Sequence, residues 1–274
     1  MPKSHIQLNK ALMNKFSFKA VDPSSGKFQS LVDTVYYLDI GEKEIKTEKT
    51  SVLGTKLGFY SDAVESKLAD IEHNFARVVK KLEEWKQGSN YTVDSYSDEI
   101  IAFANLLIDR SELRHNQRYS ISQKMFQEKY SGDHELLKKY PISVWTSPLF
   151  DENYGVALVI NHTNKNFVIA RVGYSLNLHP HDREQNFHAI LPIGTKRAIM
   201  IFPKNKPFFK LPNSTFPAPI VNINDDTSVM ALNHNALITE KTVDQAFVIS
   251  KSREELEVLL EFLKSPTWEL YKSK

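Results

Sequence analysis

The sequence contains no cysteine in its 274 residues. Disulfides, thiolate zinc sites, iron–sulfur clusters and a cysteine nucleophile are therefore excluded. Several signature motifs are also missing: the P-loop of nucleoside triphosphatases, the glycine fingerprint of dinucleotide-binding domains, the HExxH zinc motif and the GxSxG nucleophile motif. Their absence argues against a nucleoside triphosphatase, a serine hydrolase or a common metalloprotease.

Long apolar runs and a strong charge of either sign are absent as well. No stretch approaches the roughly 18 apolar residues that a membrane-spanning helix needs, and the N-terminal segment lacks the apolar core of a signal peptide. We therefore expect a cytoplasmic protein with no membrane partner. The net charge is only +2, so nucleic-acid binding would need a local basic surface. Hydrophobic residues make up 41% of the chain, which is enough for a substantial core.

The most apolar part of the chain, from Asn166 to Pro203, predicts three strands. Each strand is a nearly continuous apolar run, which is typical of strands covered on both faces. The runs cover residues 167–170, 188–193 and 198–202. Gly194 begins a short hairpin loop between the last two. The polar loop between the first two is either a metal-binding loop or a solvated loop; it contains His179, His181, Asp182 and Arg183.

Two long helices are predicted in the first half of the chain. One spans residues 61–87, with Ser61 as its N-cap. Its apolar face recurs at spacings of three and four residues and consists of Val64, Leu68, Ile71, Phe75, Val78, Leu82 and Trp85. The second covers residues 97–129, as one helix or a broken pair, and starts at Ser97.

The remaining elements alternate between strands and helices. Strands are predicted at residues 35–38, 45–53, 156–160 and 246–249. After a turn at Gly41, the strand 45–53 returns as the partner of 35–38, and a hairpin loop is predicted over 161–164. Asp225 starts a helix, and Ser252 with Glu255 predicts a capping box for the last helix. We find no repeat or linker and predict a single domain over 1–274, composed of a β-rich arm (1–60), a helical layer (61–140) and a sheet with terminal helices (141–274). The predicted class is α+β: a β-rich N-terminal arm, a pair of long helices, and a C-terminal antiparallel sheet with helices on one side.

Two carboxylates border the apolar face of the first long helix. Glu65 and Glu72 are two turns apart, about 10 Å along the axis. Carboxylates at such a boundary bind a divalent metal through oxygen or act as general bases. The alternative is that they form ion pairs with Arg110 or Arg114 on the next helix.

Basic side chains form two further candidate sites. Arg110, Arg114 and Arg118 fall on one face of a helix, where their guanidinium groups would either hold phosphates or form ion pairs within the helical layer. The loop 204–210 combines lysines with Phe208 and Phe209. Such a loop either stacks on single-stranded nucleic acid or covers a sheet edge.

Short motifs spread over nearly the whole chain match the pattern of one bacterial family. They are His5-Ile6-Gln7, Lys15-Phe16-Ser17, a helix with Tyr60, Glu65, Leu68 and Glu72, the segment from Ile108 to Arg114, the strand Val172-Gly173-Tyr174-Ser175, and Asn233 or Asn235 followed by Phe247-Val248-Ile249-Ser250. On these motifs the chain resembles the bacterial domain of unknown function family 4238.

The chain departs from the family pattern at two positions. The proline usual after the first motif is missing. The strand that ends in serine-aspartate in the family ends here at Ser175, without the aspartate. This member therefore either lacks that carboxylate or uses Asp182 in its place.

The resemblance implies that His5, Glu65, Glu72 and Arg110 converge in one polar site. A histidine beside carboxylates serves as a base or a metal ligand. The first hypothesis is therefore a metal-assisted hydrolase or nuclease of a mobile-element or antiviral defence setting. In it those four residues are catalytic, the two glutamates hold a divalent metal, and Arg114 and Arg118 bind phosphate. The second hypothesis is a non-catalytic module that binds nucleic acid or a partner protein.

Overall fold

The computed structural model describes residues 3–5, 10–22, 30–53, 55–57, 62–86, 89, 91–110, 150–177, 188–204, 220–240 and 246–272. Its strands are β1 (Lys3–His5), β2 (Phe18–Val21), β3 (Leu31–Asp39), β4 (Glu44–Lys49), β5 (Thr55–Leu57), β6 (Tyr154–Asn161), β7 (Ile169–Ala170), β8 (Ser175–Asn177), β9 (His188–Pro192), β10 (Arg197–Pro203), β11 (Ile220–Ile223) and β12 (Phe247–Ser250). Its helices are α1 (Lys10–Lys15), α2 (Asp62–Glu84), α3 (Ser97–Arg110), α4 (Asp226–Glu240), α5 (Arg253–Lys264) and α6 (Pro266–Lys272), and a 3-10 turn covers Val93–Tyr96.

The strands form two five-stranded sheets and one small two-stranded sheet. Sheet I has the order β2-β3-β12-β7, with β4 also paired to β3, and its pairings are antiparallel. Sheet II has the order β11-β6-β10-β9-β8, in which only the β11–β6 pair is parallel. Strands β1 and β5 form the small sheet. The fold is α+β, as the sequence predicted.

Sheet I joins the two ends of the chain. Strand β3 pairs with β12 in a register that places Leu38 opposite Val248, and both side chains are fully buried. Helix α5 packs against β3, β4 and β12, while α4 packs against β7, β8 and β12. One large apolar cluster contains residues from sheets I and II and from all six helices, α1 to α6. The predicted hairpins β3–β4 and β9–β10 are confirmed.

One segment of chain passes between the two sheets. After β6 in sheet II, residues 162–174 enter sheet I as the two-residue strand β7 and return to sheet II at β8. We call residues 162–174 the crossover segment. The hairpin predicted across 161–164 is therefore wrong, because β7 pairs with β12 and not with β6. The local turn chemistry is present, since Asn161 Oδ1 accepts the Thr163 N–H at 2.9 Å, but burial of the following apolar run selects a partner in the other sheet.

The predicted apolar face of α2 is confirmed where the structure describes its side chains. Phe75, Val78 and Leu82 are buried, and Phe75 stacks on Phe103 of α3 with ring centroids 3.8 Å apart. Helix α3 begins at Ser97 as predicted. The proposed continuation of this helix beyond Arg110 lies outside the described residues.

The predicted capping box at the start of α5 is wrong. The Ser252 hydroxyl donates to the Glu254 carboxylate and its oxygen accepts no backbone N–H of the helix, while the Ser252 N–H donates to Ser250 Oγ. The Glu255 carboxylate instead accepts the Asn166 N–H of the crossover segment at 3.0 Å. The Asn166 N–H is thus the partner of Glu255, in place of the Ser252 N–H that a capping box would use.

Replacing Phe75 with Ala should lower the free energy of unfolding by about 3–5 kcal/mol, since it removes a fully stacked ring from the α2–α3 interface. Denaturant unfolding measures this change. Lys80→Ala, on the exposed side of the same helix, is the matched control and should change stability by less than about 0.5 kcal/mol. Equal losses in both variants would show that the α2–α3 interface contributes little.

Candidate functional site

The residues predicted to form a catalytic site lie in three separate elements. His5 ends β1 and pairs with Thr55 of β5, Glu65 and Glu72 both lie on α2, and Arg110 is the last residue of α3. Glu72 is partly exposed. The other three site side chains lie outside what the structure describes, so their convergence stays a prediction.

The other predicted sites fall mostly outside the described residues. These are Arg114, Arg118, the histidine loop at 179–183, and Phe208 with Phe209. Within the described part of the chain, no three His, Asp or Glu side chains are grouped so as to hold a metal ion.

Buried polar side chains surround the crossover segment. Helix α4 supplies Asn233, whose Oδ1 accepts the Val168 N–H at 3.0 Å and whose Nδ2 donates to Asn166 O at 2.9 Å. Glu255 of α5 accepts the backbone N–H of Asn166. A buried amide without a partner costs roughly 1–3 kcal/mol, so these side chains replace the sheet partners that the crossover segment lacks.

Side chains from the end of β6 and from the β9–β10 hairpin bind the beginning of the crossover segment. Asn161 Nδ2, at the end of β6, donates to Lys165 O at 2.8 Å. Lys196, in the β9–β10 hairpin, donates its ammonium protons to Thr163 O at 2.7 Å and to Lys165 O at 2.6 Å. The three carbonyl contacts fix the turn that leads out of β6.

The end of the crossover segment is held by a fully buried acid. Glu240, the last residue of α4, accepts the Val172 N–H on Oε1 at 2.7 Å. Its Oε2 is buried and has no hydrogen-bond partner among the residues that the structure describes. Burial raises the Glu240 pKa to about 8, against opposing effects of the Val172 N–H and the nearby Arg171 guanidinium. The chain then turns through Gly173, whose φ of 87° lies in the left-handed region that favours glycine.

A buried acid with a pKa near neutrality is a common mark of a catalytic site, but structural networks shift pKa values too. Glu240 is 0% exposed, and one of its oxygens is occupied by a backbone amide. Asn233 and Glu255 are likewise committed to backbone groups. We interpret this set as a structural clamp on the crossover segment and not as an active site.

The clamp predicts a pH dependence of stability with a definite sign. Because the Glu240 pKa is raised in the folded state, its proton stabilises the fold, and this contribution is lost as pH rises from the unfolded value of 4.5 through about 8. The loss over this window is on the order of 5 kcal/mol. Glu240→Gln keeps an acceptor for Val172 and cannot ionise, so it should flatten the dependence. Unfolding of both proteins at pH 5 and pH 8.5 checks this; parallel curves would contradict it.

The middle of the exposed face of α2 carries positive charge. The exposed side chains described on this helix are Ala69, Asp70, His73, Asn74, Arg77, Lys80, Lys81 and Glu84, so three cations lie between one carboxylate at each end. We call His73, Arg77, Lys80 and Lys81 the basic face of α2. Within the described part of the chain, neither the arginine nor the two lysines form an ion pair. The Arg77 guanidinium donates to the Asn74 side-chain oxygen, and all three cations are exposed, so an anionic partner can reach them.

The basic face of α2 belongs to a helix whose C-terminal end is anchored to neighbouring elements. The Arg197 guanidinium, from β10, donates to Leu82 O and to Trp85 O, the latter at 3.1 Å. These carbonyls have no partner within the helix, and a cation there also suits the helix dipole. Lys15 of α1 forms an ion pair with Glu83 at 2.5 Å. Helix α2 is thus anchored to sheet II and to α1.

Two tyrosines adjoin the C-terminal end of the basic face. The Tyr91 hydroxyl donates to Lys81 O at 2.8 Å, and the Lys81 ammonium lies 5.2 Å from the Tyr96 ring centroid. The two tyrosine rings meet edge to face at 5.9 Å. Trp85 Nε1 donates to Tyr91 O at 3.2 Å, which fixes the segment that carries this ring.

Sequence reasoning found the buried side of α2 but missed this exposed one. The available signal was the spacing of His73, Arg77, Lys80 and Lys81, which recur at three, four and eight residues opposite the apolar face. Tyr91 and Tyr96 gave no such signal, because they lie after the end of α2 and contact Lys81 only where the chain folds back beside the helix.

Comparisons with models of protein families, with curated proteins and with solved structures find no match to this chain. The resemblance to family 4238 therefore stays a prediction. Among the described residues, no helix is long and apolar enough to cross a membrane.

Proposed function

We propose that the protein is a nucleic-acid-binding module whose contact surface is the basic face of α2. The observation that carries this proposal is the set of exposed cations at Arg77, Lys80 and Lys81 with no carboxylate partner in the described part of the chain. Arginine and lysine side chains bind nucleic acid by neutralising phosphates and releasing counterions.

The location of the buried charges supports a binding role over a catalytic one. The buried polar side chains whose contacts are described around the crossover segment bind backbone groups. Cations without an ion-pair partner among the described residues lie instead on an exposed helix face whose C-terminal end is anchored by Arg197. A helix that is already anchored needs little backbone reorganisation to present these cations to a polyanion.

The test is fluorescence anisotropy with a labelled oligonucleotide over a range of salt concentrations. Three phosphate contacts predict that log K falls with log[salt] with a slope of about −2 to −3. Arg77→Glu/Lys80→Glu should abolish binding at low salt. The matched control is Lys251→Glu/Lys264→Glu, which changes the net charge equally at exposed lysines elsewhere and should keep most of the affinity.

Two results would overturn the proposal. One is the absence of wild-type binding at low salt. The other is an equal loss in both double variants, which would mean that only the overall charge matters. Equal affinity for polyglutamate and for an oligonucleotide of the same charge would point to an acidic protein as the partner.

The metal-assisted hydrolase remains the competing proposal, since Glu72 lies partly exposed on α2 with Glu65 two turns away. Titration calorimetry with magnesium, manganese and zinc tests it. A metal site on these carboxylates predicts binding heat in the wild type that Glu72→Gln removes without loss of the fold. No heat with any of the three ions would exclude this site.

A further inference from the structure

We infer that the nucleic acid bound by this surface is single-stranded, with Tyr91 and Tyr96 stacking on unpaired bases beside the phosphates held by the basic face of α2. This inference rests on the proposed function and names its ligand class. It is carried by the junction of the basic face and the two tyrosines at Lys81.

Lys81 belongs to both parts of this surface. Its ammonium lies over the Tyr96 ring, and its carbonyl accepts the Tyr91 hydroxyl proton. From Arg77 to Lys81 the helix rises by one turn, about 6 Å. A strand whose phosphates contact Arg77 and Lys80 therefore reaches the tyrosines within one or two nucleotides.

The tyrosines are held in place while part of each side chain stays open to solvent. Both residues are half-buried. Tyr91 is fixed at its hydroxyl by α2 and at its carbonyl by Trp85. Tyr96 ends a 3-10 turn that is anchored by the buried Val93. Rings that are already ordered lose little conformational entropy when a base stacks on them.

Stacking on aromatic side chains distinguishes single-stranded from duplex nucleic acid. Every unpaired base offers a free π-face to an aromatic side chain, whereas bases in a duplex are already stacked on one another. The cations serve both forms alike, because they contact phosphates. A surface that joins cations to ordered aromatic rings therefore favours a single strand over a duplex of equal charge.

The experiment compares a labelled single strand with a blunt-ended duplex that has the same number of phosphates, by anisotropy at one low salt concentration. We expect the wild type to bind the single strand on the order of tenfold more tightly. Tyr96→Leu should remove most of this preference and leave duplex binding unchanged. Tyr96→Phe, which keeps the ring and removes only the hydroxyl, should retain the preference.

A second readout does not depend on the folding of a variant. Because Trp85 donates to Tyr91 O, stacking on Tyr91 should quench tryptophan emission of the wild type when the single strand binds, but not when the duplex binds. Equal affinity for both forms, with no selective quenching, would overturn the inference and leave the proposed function standing. Binding of neither form would overturn the proposed function itself.

Discussion

The structure depends on how the backbone of the crossover segment satisfies its hydrogen bonds. Residues 162–174 leave one sheet, pair over only two residues in the other, and return. A buried amide cannot remain without a partner. Asn233, Glu240 and Glu255 supply the partners that neighbouring strands would otherwise provide. Because these side chains come from α4 and α5, the same contacts that satisfy the backbone also fix both helices against the sheets.

The clamp and the basic face of α2 illustrate opposite uses of charge. At Glu240 the surroundings exclude water, and the neutral form of the acid is favoured. At Arg77 and Lys80 the side chains remain in water, where an unpaired charge costs little and can meet a polyanion. The Arg197 guanidinium connects sheet II to α2, since it extends from β10 to the carbonyls of Leu82 and Trp85 at the C-terminal end of that helix. The rigid part of the fold thus supports the exposed surface for which we propose a function.

Much of the fold follows from local patterns. The helix α2, the start of α3 at Ser97, and the hairpins β3–β4 and β9–β10 were all predictable from apolar periodicity and turn residues. The candidate site was less predictable. The carboxylates on the edge of α2 are recognisable in the sequence, whereas the exposed cations of the same helix form no distinctive motif, because a charged helix face is usually only a solvated one.

What the sequence by itself determined was the α+β class and the identity of most elements, because apolar spacing depends only on the geometry of a helix or a strand. Only the tertiary structure decided which hydrogen-bond partners and which neighbouring strands these elements have. The capping pattern at Ser252 and Glu255 and the turn after Asn161 are both present in the sequence, yet Glu255 binds Asn166 and β7 pairs with β12. A hydrogen-bond donor pairs with whichever acceptor is near in space, and the distance between two residues 89 positions apart is set by the packing of the whole chain.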